Sequence, residues 1–253
     1  MDITVLLRMN PDLSEELELL DNKSDIDREW IGLMLNWFDD QALEQAIILK
    51  EKTGAHITAF ALDGEGVDRM LKTALARGVD TVRKITRTES NKQTSRNLAD
   101  AYVDAITQSK SDLILTGVLS TDDIFGELAP IVGAKLGIPQ LSAVSHLEIK
   151  NGKIYARQEY SGGTAAIIET SMPAIIGLQA AENPPRYVSG SKLRDLLKTE
   201  ISELECTNTV DSSFTENIRY SFPEKSNTVQ MIPGTAEEVA LKIYNILVKE
   251  GLL

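Results

Sequence analysis

Up to residue 136, short apolar runs alternate with longer amphipathic segments, and this alternation constrains the fold more than any other feature. Parallel strands need a long crossover, usually a helix, so the pattern predicts βαβ units. The predicted strands are residues 3–7, 56–62, 81–85 and 112–115, and the predicted helices are residues 39–52, 66–77, 94–108 and 123–136. We therefore expect an α/β fold with an open, mostly parallel sheet and helices on both faces.

The pattern changes between residues 141 and 178. Three extended segments follow one another there, at residues 142–149, 153–161 and 165–170. The first two are joined by Asn151-Gly152, and Asn-Gly between strands is a strong hairpin signal. The sequence thus predicts a small antiparallel meander at about residues 141–171, ahead of a last buried strand at residues 174–178.

The chain after residue 200 is polar and lacks a helical period up to residue 229. It nevertheless contains Phe214, Tyr220 and Phe222, and aromatic residues are scarce in disordered linkers. The segment is either a strap over the chain's own surface or an arm whose aromatic residues dock on a partner.

A closing helix is predicted to begin at Thr235, which forms a capping box with Glu238. The expected division is an α/β domain at residues 1–200, followed by a C-terminal arm and helix at residues 201–253.

Charge and composition exclude several classes of function. The chain has a net charge of −12 and no run of Lys and Arg, so we expect no nucleic acid as partner. It contains no stretch of about 18 apolar residues, so membrane insertion is not expected. The single cysteine, Cys206, cannot form an intramolecular disulfide, and the start of the chain has no basic n-region. A cytoplasmic protein is the default expectation.

The residue types give little support to a conventional catalytic or metal site. The two histidines, His56 and His146, fall in predicted strands, and Cys206 has no histidine beside it in sequence. The segment Gly64-Glu65-Gly66 lacks the third glycine of a dinucleotide-binding fingerprint. We expect no catalytic residue and no metal ligand.

Ligands of an open parallel sheet bind beyond the carboxyl ends of the strands. Three loops lie at that edge, at residues 8–12, 63–66 and 117–126. In the last loop Asp122 or Asp123 would start a helix, and the free N–H groups of its first turn would face the cleft. An ordinary helix-capping aspartate explains Asp122 without a ligand, so both interpretations stay open.

Several short sequence motifs follow one another in order along the whole chain. They are I-T-V-L-L-R with Asn10-Pro11-Asp12, Asn36-Trp37-Phe38-Asp39, T-A-L-A-R-G-V-D at 73–80, D-L-I-L-T-G at 112–117, L-G-I-P-Q at 136–140, and Pro185-Arg186-Tyr187. Each block is short, but together their order and spacing resemble the β subunits of electron-transfer flavoproteins.

The resemblance implies a carrier subunit and not an enzyme. Such a β subunit pairs with a larger α subunit that holds most of the FAD, and its C-terminal tail wraps onto that partner. It also implies a structural AMP at the carboxyl ends of the β-subunit strands. Electrons would arrive from a flavin dehydrogenase donor and leave to a quinone reductase or similar acceptor.

The resemblance also assigns site residues. Leu6 and Leu7 would contact AMP through the backbone, Asn36, Phe38 and Asp39 would line the nucleotide or flavin side, Leu62 would lie beneath the adenine, Ser120, Asp122 and Asp123 would approach the ribose, Gly126, Glu127 and Leu128 would approach the phosphate, and Leu13 and Phe38 would lie near the flavin ring.

Two departures from the family pattern concern these assignments. Glu127 and Leu128 stand where the family has Gln or Ser and then Thr, so a hydroxyl donor is lost and a carboxylate would face the phosphate. Backbone N–H groups at a helix start could still bind it. Gly190 stands where the family has a docking leucine, so either Leu193 takes that role or docking uses another surface.

Two other proteins of similar fold are alternatives. A nucleotide-binding regulatory module of the universal-stress type should carry a G-x-x-G…G-S phosphate loop, which the sequence lacks. An adenylating enzyme needs an S-G-G-x-D-S-like loop after the first strand, and Arg8-Met9-Asn10-Pro11 does not resemble one.

Overall fold

The computed structural model describes residues 1–14, 16–29, 31–87, 95–206, 220–222, 229 and 231–253. Within these residues the strands are β1 (Asp2–Leu7), β2 (Met9–Pro11), β3 (Leu33–Leu35), β4 (His56–Leu62), β5 (Thr81–Arg87), β6 (Leu113–Gly117), β7 (Gln140–Lys150), β8 (Lys153–Glu159), β9 (Ala165–Ser171), β10 (Ala174–Leu178) and β11 (Ser202–Cys206). The α-helices are α1 (Trp37–Thr53), α2 (Val67–Arg77), α3 (Ser95–Thr107), α4 (Leu128–Leu136), α5 (Gly190–Asp195) and α6 (Ala236–Lys249).

Nine of the strands in the described part of the chain form one open sheet, in the order β11-β5-β4-β1-β6-β10-β7-β8-β9. Neighbours from β11 to β7 pair in parallel, and β7, β8 and β9 pair antiparallel. The predicted open, mostly parallel α/β sheet is confirmed. The predicted meander extends one edge of this sheet, and β2 and β3 form a separate antiparallel ribbon.

Helices pack on both faces of the sheet because side chains alternate along each strand. On one face, α1 and α2 bury Leu43 and Leu71 together with Leu7 of β1. On the other face, α3 and α4 bury Tyr102 and Val132 together with Leu6, the neighbouring residue of the same strand.

Helix α4 begins later than the sequence predicts. It starts at Leu128 and not at residue 123, and the turn before it is held by the side chain of Asp123. Its carboxylate accepts the backbone N–H groups of Glu127 and Leu128 at 3.0 and 3.2 Å. Residues 123–127 are therefore a capped turn that leads into the helix.

Strand β11 is a further difference, since it lies beyond the predicted domain boundary at residue 200. It pairs in parallel with β5, and Lys84 of β5 contacts Glu203 of β11 and Asp68 of α2, each at 3.1 Å. Hydrogen bonds from Lys84 to these two carboxylates raise its pKa above the ordinary value. The sheet thus continues into the segment that the sequence assigns to the arm.

The described parts of the arm lie partly on the chain itself. The backbone N–H of Tyr220 donates to the carbonyl of Lys23 at 2.9 Å, whereas Phe222 is exposed. Phe214 lies outside the described residues. Both interpretations of the arm therefore stay open.

Helix α6 has the predicted capping box, with Thr235 and Glu238 bonded reciprocally. None of its residues is buried, although it carries the apolar side chains Leu241, Ile243, Tyr244, Ile246 and Val248. No helix in the described ranges is both long and apolar enough to cross a membrane.

Candidate functional site

The candidate site lies where the order of the parallel strands reverses direction. In the sheet, β4 and then β5 lie on one side of β1, whereas β6, the next strand of the sheet along the chain, lies on the other side. The crevice beyond the carboxyl ends of two such strands is the usual ligand site of this class of sheet. Arg8 directly follows β1 at this point, and Gly117 is the last residue of β6.

A buried ion pair between Arg8 and Asp39 fills the centre of this crevice. The Arg8 Nε and NH2 atoms donate to the two Asp39 carboxylate oxygens at 2.9 and 2.8 Å. Burial of Arg8 opposes its charged form, but the charge and hydrogen bonds of Asp39 outweigh that effect and raise the Arg8 pKa above its ordinary value. The Arg8 guanidinium is therefore a charged group held inside the protein.

Asp39 also joins the start of α1 to the end of β6. Its Oδ1 atom accepts the backbone N–H of Gly117 at 2.8 Å, and its Oδ2 atom accepts the backbone N–H of Arg8 at 2.9 Å. A Cβ atom at Gly117 would lie 2.5 Å from Asp39 Oδ1 and 2.6 Å from the carbonyl carbon of Phe38, so this close approach requires glycine. Both oxygens of the Asp39 carboxylate thus accept hydrogen bonds from donors of the chain itself.

Asn36 ties the same end of α1 to the loop that follows β6. Its backbone N–H donates to the carbonyl of Arg8 at 2.9 Å, and its side-chain amide donates to the carbonyl of Leu119 at 2.9 Å. Asn36 is buried, so these contacts fix the backbone around Arg8 from a second direction.

The loop from Val118 to Leu128 folds back on itself. The Ser120 hydroxyl accepts a hydrogen bond from Arg8 NH1 at 3.0 Å, and the Asp123 carboxylate lies 3.6 Å from the same nitrogen. Gly126 has a φ of +65°, and a Cβ atom there would lie 2.3 Å from the carbonyl oxygen of Val118. The turn is therefore tight, and it depends on a glycine at this position.

A small cavity opens between the ends of β1 and β4. Its volume is about 160 Å³, and its lining includes Leu7, Arg8, Leu62, Tyr102 and Asp122. The Tyr102 hydroxyl donates to the backbone carbonyl of Leu7 at 2.8 Å. Pockets for ligands of drug size usually measure about 300–1,000 Å³, so this cavity is small for a whole nucleotide.

The site residues assigned from the sequence divide into three groups. Leu7, Leu62 and Asp122 line the small cavity. Asn36, Asp39, Ser120 and Asp123 belong to the buried network around Arg8.

The remaining assigned residues lie elsewhere. Leu6 and Leu128 have buried side chains on the opposite face of the sheet from α1, in the core formed by α3 and α4. Leu13 and Glu127 are exposed, Phe38 is half-buried, and Gly126 forms the tight turn.

The sequence did not assign a role to Arg8 or Tyr102. A charged residue directly after the apolar end of a strand, as Arg8 is after Val5-Leu6-Leu7, could have indicated a group at the ligand edge of the sheet. Tyr102 gave no comparable indication, because its position in α3 fits an ordinary core residue.

The expected phosphate contacts do not fit this loop as it stands. The backbone N–H groups of Glu127 and Leu128 are bound by the Asp123 carboxylate, and the N–H of Gly126 donates to the Asp123 carbonyl at 3.1 Å. All three donors assigned to the phosphate are thus used within the chain.

Apolar side chains are exposed at the same end of the sheet. Trp37, the first residue of α1, is 61% exposed, and Phe125, in the loop before α4, is 85% exposed. Leu13 and Ile124 are exposed as well. Exposed apolar groups that occur together on a surface commonly indicate a site of association.

Among the residues that the structure covers, no group of three or more His, Cys, Asp or Glu side chains is arranged to hold a metal ion.

Comparison with known proteins gives a consistent result. Residues 26–204 match the family model described as the electron transfer flavoprotein domain. The chain is 28% identical to the electron transfer flavoprotein subunit beta of Bacillus subtilis over 99% of both chains. It is 27% identical to the subunit of the same name from Methylophilus methylotrophus over 98% of both chains. It is 33% identical to that of Syntrophomonas wolfei over 75% of this chain and 73% of the relative.

Proposed function

This chain belongs to the electron transfer flavoprotein β-subunit family, and from that premise we propose that it works as one half of a heterodimer that carries electrons on FAD. The partner is an α subunit that holds most of the FAD. The donor is a flavin dehydrogenase, and the acceptor is a quinone reductase or a similar protein. In this proposal the chain is a carrier subunit and catalyses no reaction alone.

The observation that carries the proposal is the exposed apolar side of α6. Leu241, Tyr244 and Val248 recur at helical spacing, and all three are exposed, as are Ile243 and Ile246. An amphipathic helix normally buries its apolar stripe against another element. The α subunit is the partner that would cover this helix, because family members form such heterodimers.

A second exposed surface supports the same arrangement. Trp37 and Phe125 lie at the carboxyl end of the sheet, and Leu13 is 50% exposed nearby in the chain after β2. When bound, FAD would supply the electron-accepting isoalloxazine ring. Leu13 and Phe38 would pack beside that ring and exclude water from one side of it. The network of Asn36 and Asp39 around Arg8 would hold the start of α1, which carries Phe38.

The AMP that the family implies fits this chain poorly. The adenine would lie in the cavity lined by Leu7 and Leu62, which at about 160 Å³ would have to widen. The phosphate would have to compete with Asp123 for the N–H groups of Glu127 and Leu128. A cytoplasmic location stays a prediction.

The proposal is tested by producing the chain alone and together with its α subunit. We expect a yellow heterodimer with one FAD, measured by flavin absorbance and light scattering, and little or no flavin on the chain alone. Stoichiometric FAD on the isolated chain would contradict the proposal.

Replacement of Leu241 and Tyr244 by Ser tests the role of α6. These side chains are exposed, so the variant should fold as the wild type does but bind the α subunit at least about tenfold more weakly, as expected when interface anchors are removed. Replacement of Lys242 by Ser on the same helix is the matched control.

A further inference from the structure

We infer that the loop between β6 and α4 is closed to phosphate, because the Asp123 carboxylate already occupies the anion position at the start of α4. This inference rests on the proposed function, since it concerns the nucleotide that the family implies for this loop.

The carboxylate makes the contacts that a phosphate would make. Asp123 Oδ1 accepts the backbone N–H of Glu127 at 3.0 Å, and Asp123 Oδ2 accepts that of Leu128 at 3.2 Å. Helix N-termini bind anions through these first N–H groups. A side chain that is covalently part of the loop fills the same place without losing the entropy of a free ligand.

The backbone holds Asp123 in this position. Ser120 and Asp123 exchange two backbone hydrogen bonds, from the Ser120 N–H at 3.2 Å and from the Asp123 N–H at 3.1 Å. The N–H of Gly126 donates to the Asp123 carbonyl at 3.1 Å. Asp123 is only 5% exposed, so its carboxylate cannot turn outward without opening the loop.

The surrounding charges also oppose a phosphate. Arg8 is the cation nearest to Asp123, at 3.6 Å, but its Nε and NH2 atoms are already bound to Asp39. Asp122 and Glu127 add two exposed carboxylates to the same loop. A phosphate would therefore enter beside the buried Asp123 carboxylate, where repulsion is strong because water is excluded. The two exposed carboxylates would repel it only weakly.

The experiment uses the purified heterodimer with its α subunit. Nucleotides are released by denaturation and separated, FAD is counted by absorbance, and AMP and inorganic phosphate are titrated by calorimetry. We expect FAD without a stoichiometric amount of AMP, and no saturable binding of either titrant below about 1 mM, a concentration that corresponds to weak affinity.

Asp123→Ala tests whether the carboxylate is the cause. The variant frees two N–H groups and removes one negative charge, so AMP should bind at least about tenfold more tightly than to the wild type. Glu127→Gln is the matched control, because it removes one charge from the same loop and frees no N–H group. It should change AMP affinity by less than about threefold.

Several outcomes would overturn the inference. One is wild-type protein that releases AMP in an amount equal to its FAD. Another is an Asp123→Ala variant that assembles but gains no more affinity than Glu127→Gln. If that variant does not assemble, Asp123→Asn replaces it, since the amide keeps one acceptor oxygen and the shape of the side chain.

If neither variant assembles, the wild-type titration decides: saturable AMP binding below about 1 mM contradicts the inference, and its absence supports it. A preparation without FAD would refute the proposed function, whereas the AMP titration of the full chain would still decide whether the loop is closed. The two failures are therefore distinguishable.

Discussion

Arg8 and Asp39 form a buried ion pair that joins the end of β1 to the first turn of α1. Two side-chain bonds of 2.9 and 2.8 Å connect the guanidinium to the two carboxylate oxygens, and the Asp39 side chain is fully buried. The pair lies at the ligand edge of the sheet, but it connects elements of the chain itself.

Breaking this ion pair should destabilise the folded protein. Asp39→Asn leaves a buried guanidinium without its counter-charge and should lower the free energy of unfolding by about 3–5 kcal/mol. Chemical denaturation followed by circular dichroism measures the change. Lys52→Met is the control, because its pair with Glu182 is half-exposed and should contribute less than about 1 kcal/mol. If Asp39→Asn also lowers the free energy of unfolding by less than about 1 kcal/mol, Arg8 has found another partner.

The contact between α1 and β6 makes Gly117 sensitive to a single methyl group. A Cβ atom at Gly117 would overlap Asp39 and the backbone of Phe38, so Gly117→Ala should destabilise the protein by at least about 1–3 kcal/mol. Gly190→Ala is the matched control, because a Cβ atom there meets nothing within 4 Å. Equal melting temperatures for the two variants would contradict the prediction.

Asp80 should make stability depend on acid pH. Burial alone would raise the pKa of Asp80. Hydrogen bonds from Lys50 Nζ at 2.5 Å and from the Ile57 N–H at 2.9 Å outweigh burial and lower this pKa. His56, 3.6 Å away, acts in the same direction. Because the pKa of Asp80 is lower in the folded state, its carboxylate stabilises the protein at pH values above the unfolded-state pKa, which is about 4. This stabilisation is lost as the pH falls through the folded-state pKa.

Denaturation of wild type and Asp80→Asn across this range measures the effect. Asp80→Asn should be less stable at pH 7, and the difference should shrink below about pH 4. Lys50→Met should weaken the same pH dependence, because it removes one of the two main donors to Asp80. A difference that stays constant from pH 7 to pH 3 would assign the acid sensitivity to other groups.

Leu128→Thr should lower the stability of the protein without creating a phosphate-binding site. The Leu128 side chain is 1% exposed and packs in the core with Ala129 and Val132, so a hydroxyl there would be buried. We expect a loss of about 1–3 kcal/mol in unfolding free energy and no gain in AMP affinity by calorimetry. Tighter AMP binding by this variant would show that the loop can rearrange around a ligand.

The alternating strands and helices could be predicted from the sequence because each one is determined by the residues within it. The central parallel strands are mostly apolar runs, and β4 and β10 have the predicted bounds of 56–62 and 174–178. The Asn151-Gly152 turn follows equally from local backbone preference, since both residues have positive φ.

The site could be predicted only in part, because its bonds join residues far apart in sequence. Arg8 and Asp39 are 31 residues apart, and Asn36 and Leu119 are 83 apart. The family resemblance assigned Asn36, Asp39, Ser120 and Asp123 to ligand contacts, and in the structure all four belong to the network around Arg8. It could not show that Asp123 would bind the N–H groups of α4, because that depends on the path of the loop.

The pairing of β11 with β5 also affects how the chain is made. The Thr86 hydroxyl donates to the carbonyl of Leu204, 118 residues later in the chain. During synthesis on the ribosome, β5 therefore emerges long before the strand that covers it. An unpaired strand edge is a template for pairing with other chains, so the nascent protein would have an aggregation-prone edge until residue 206 is released.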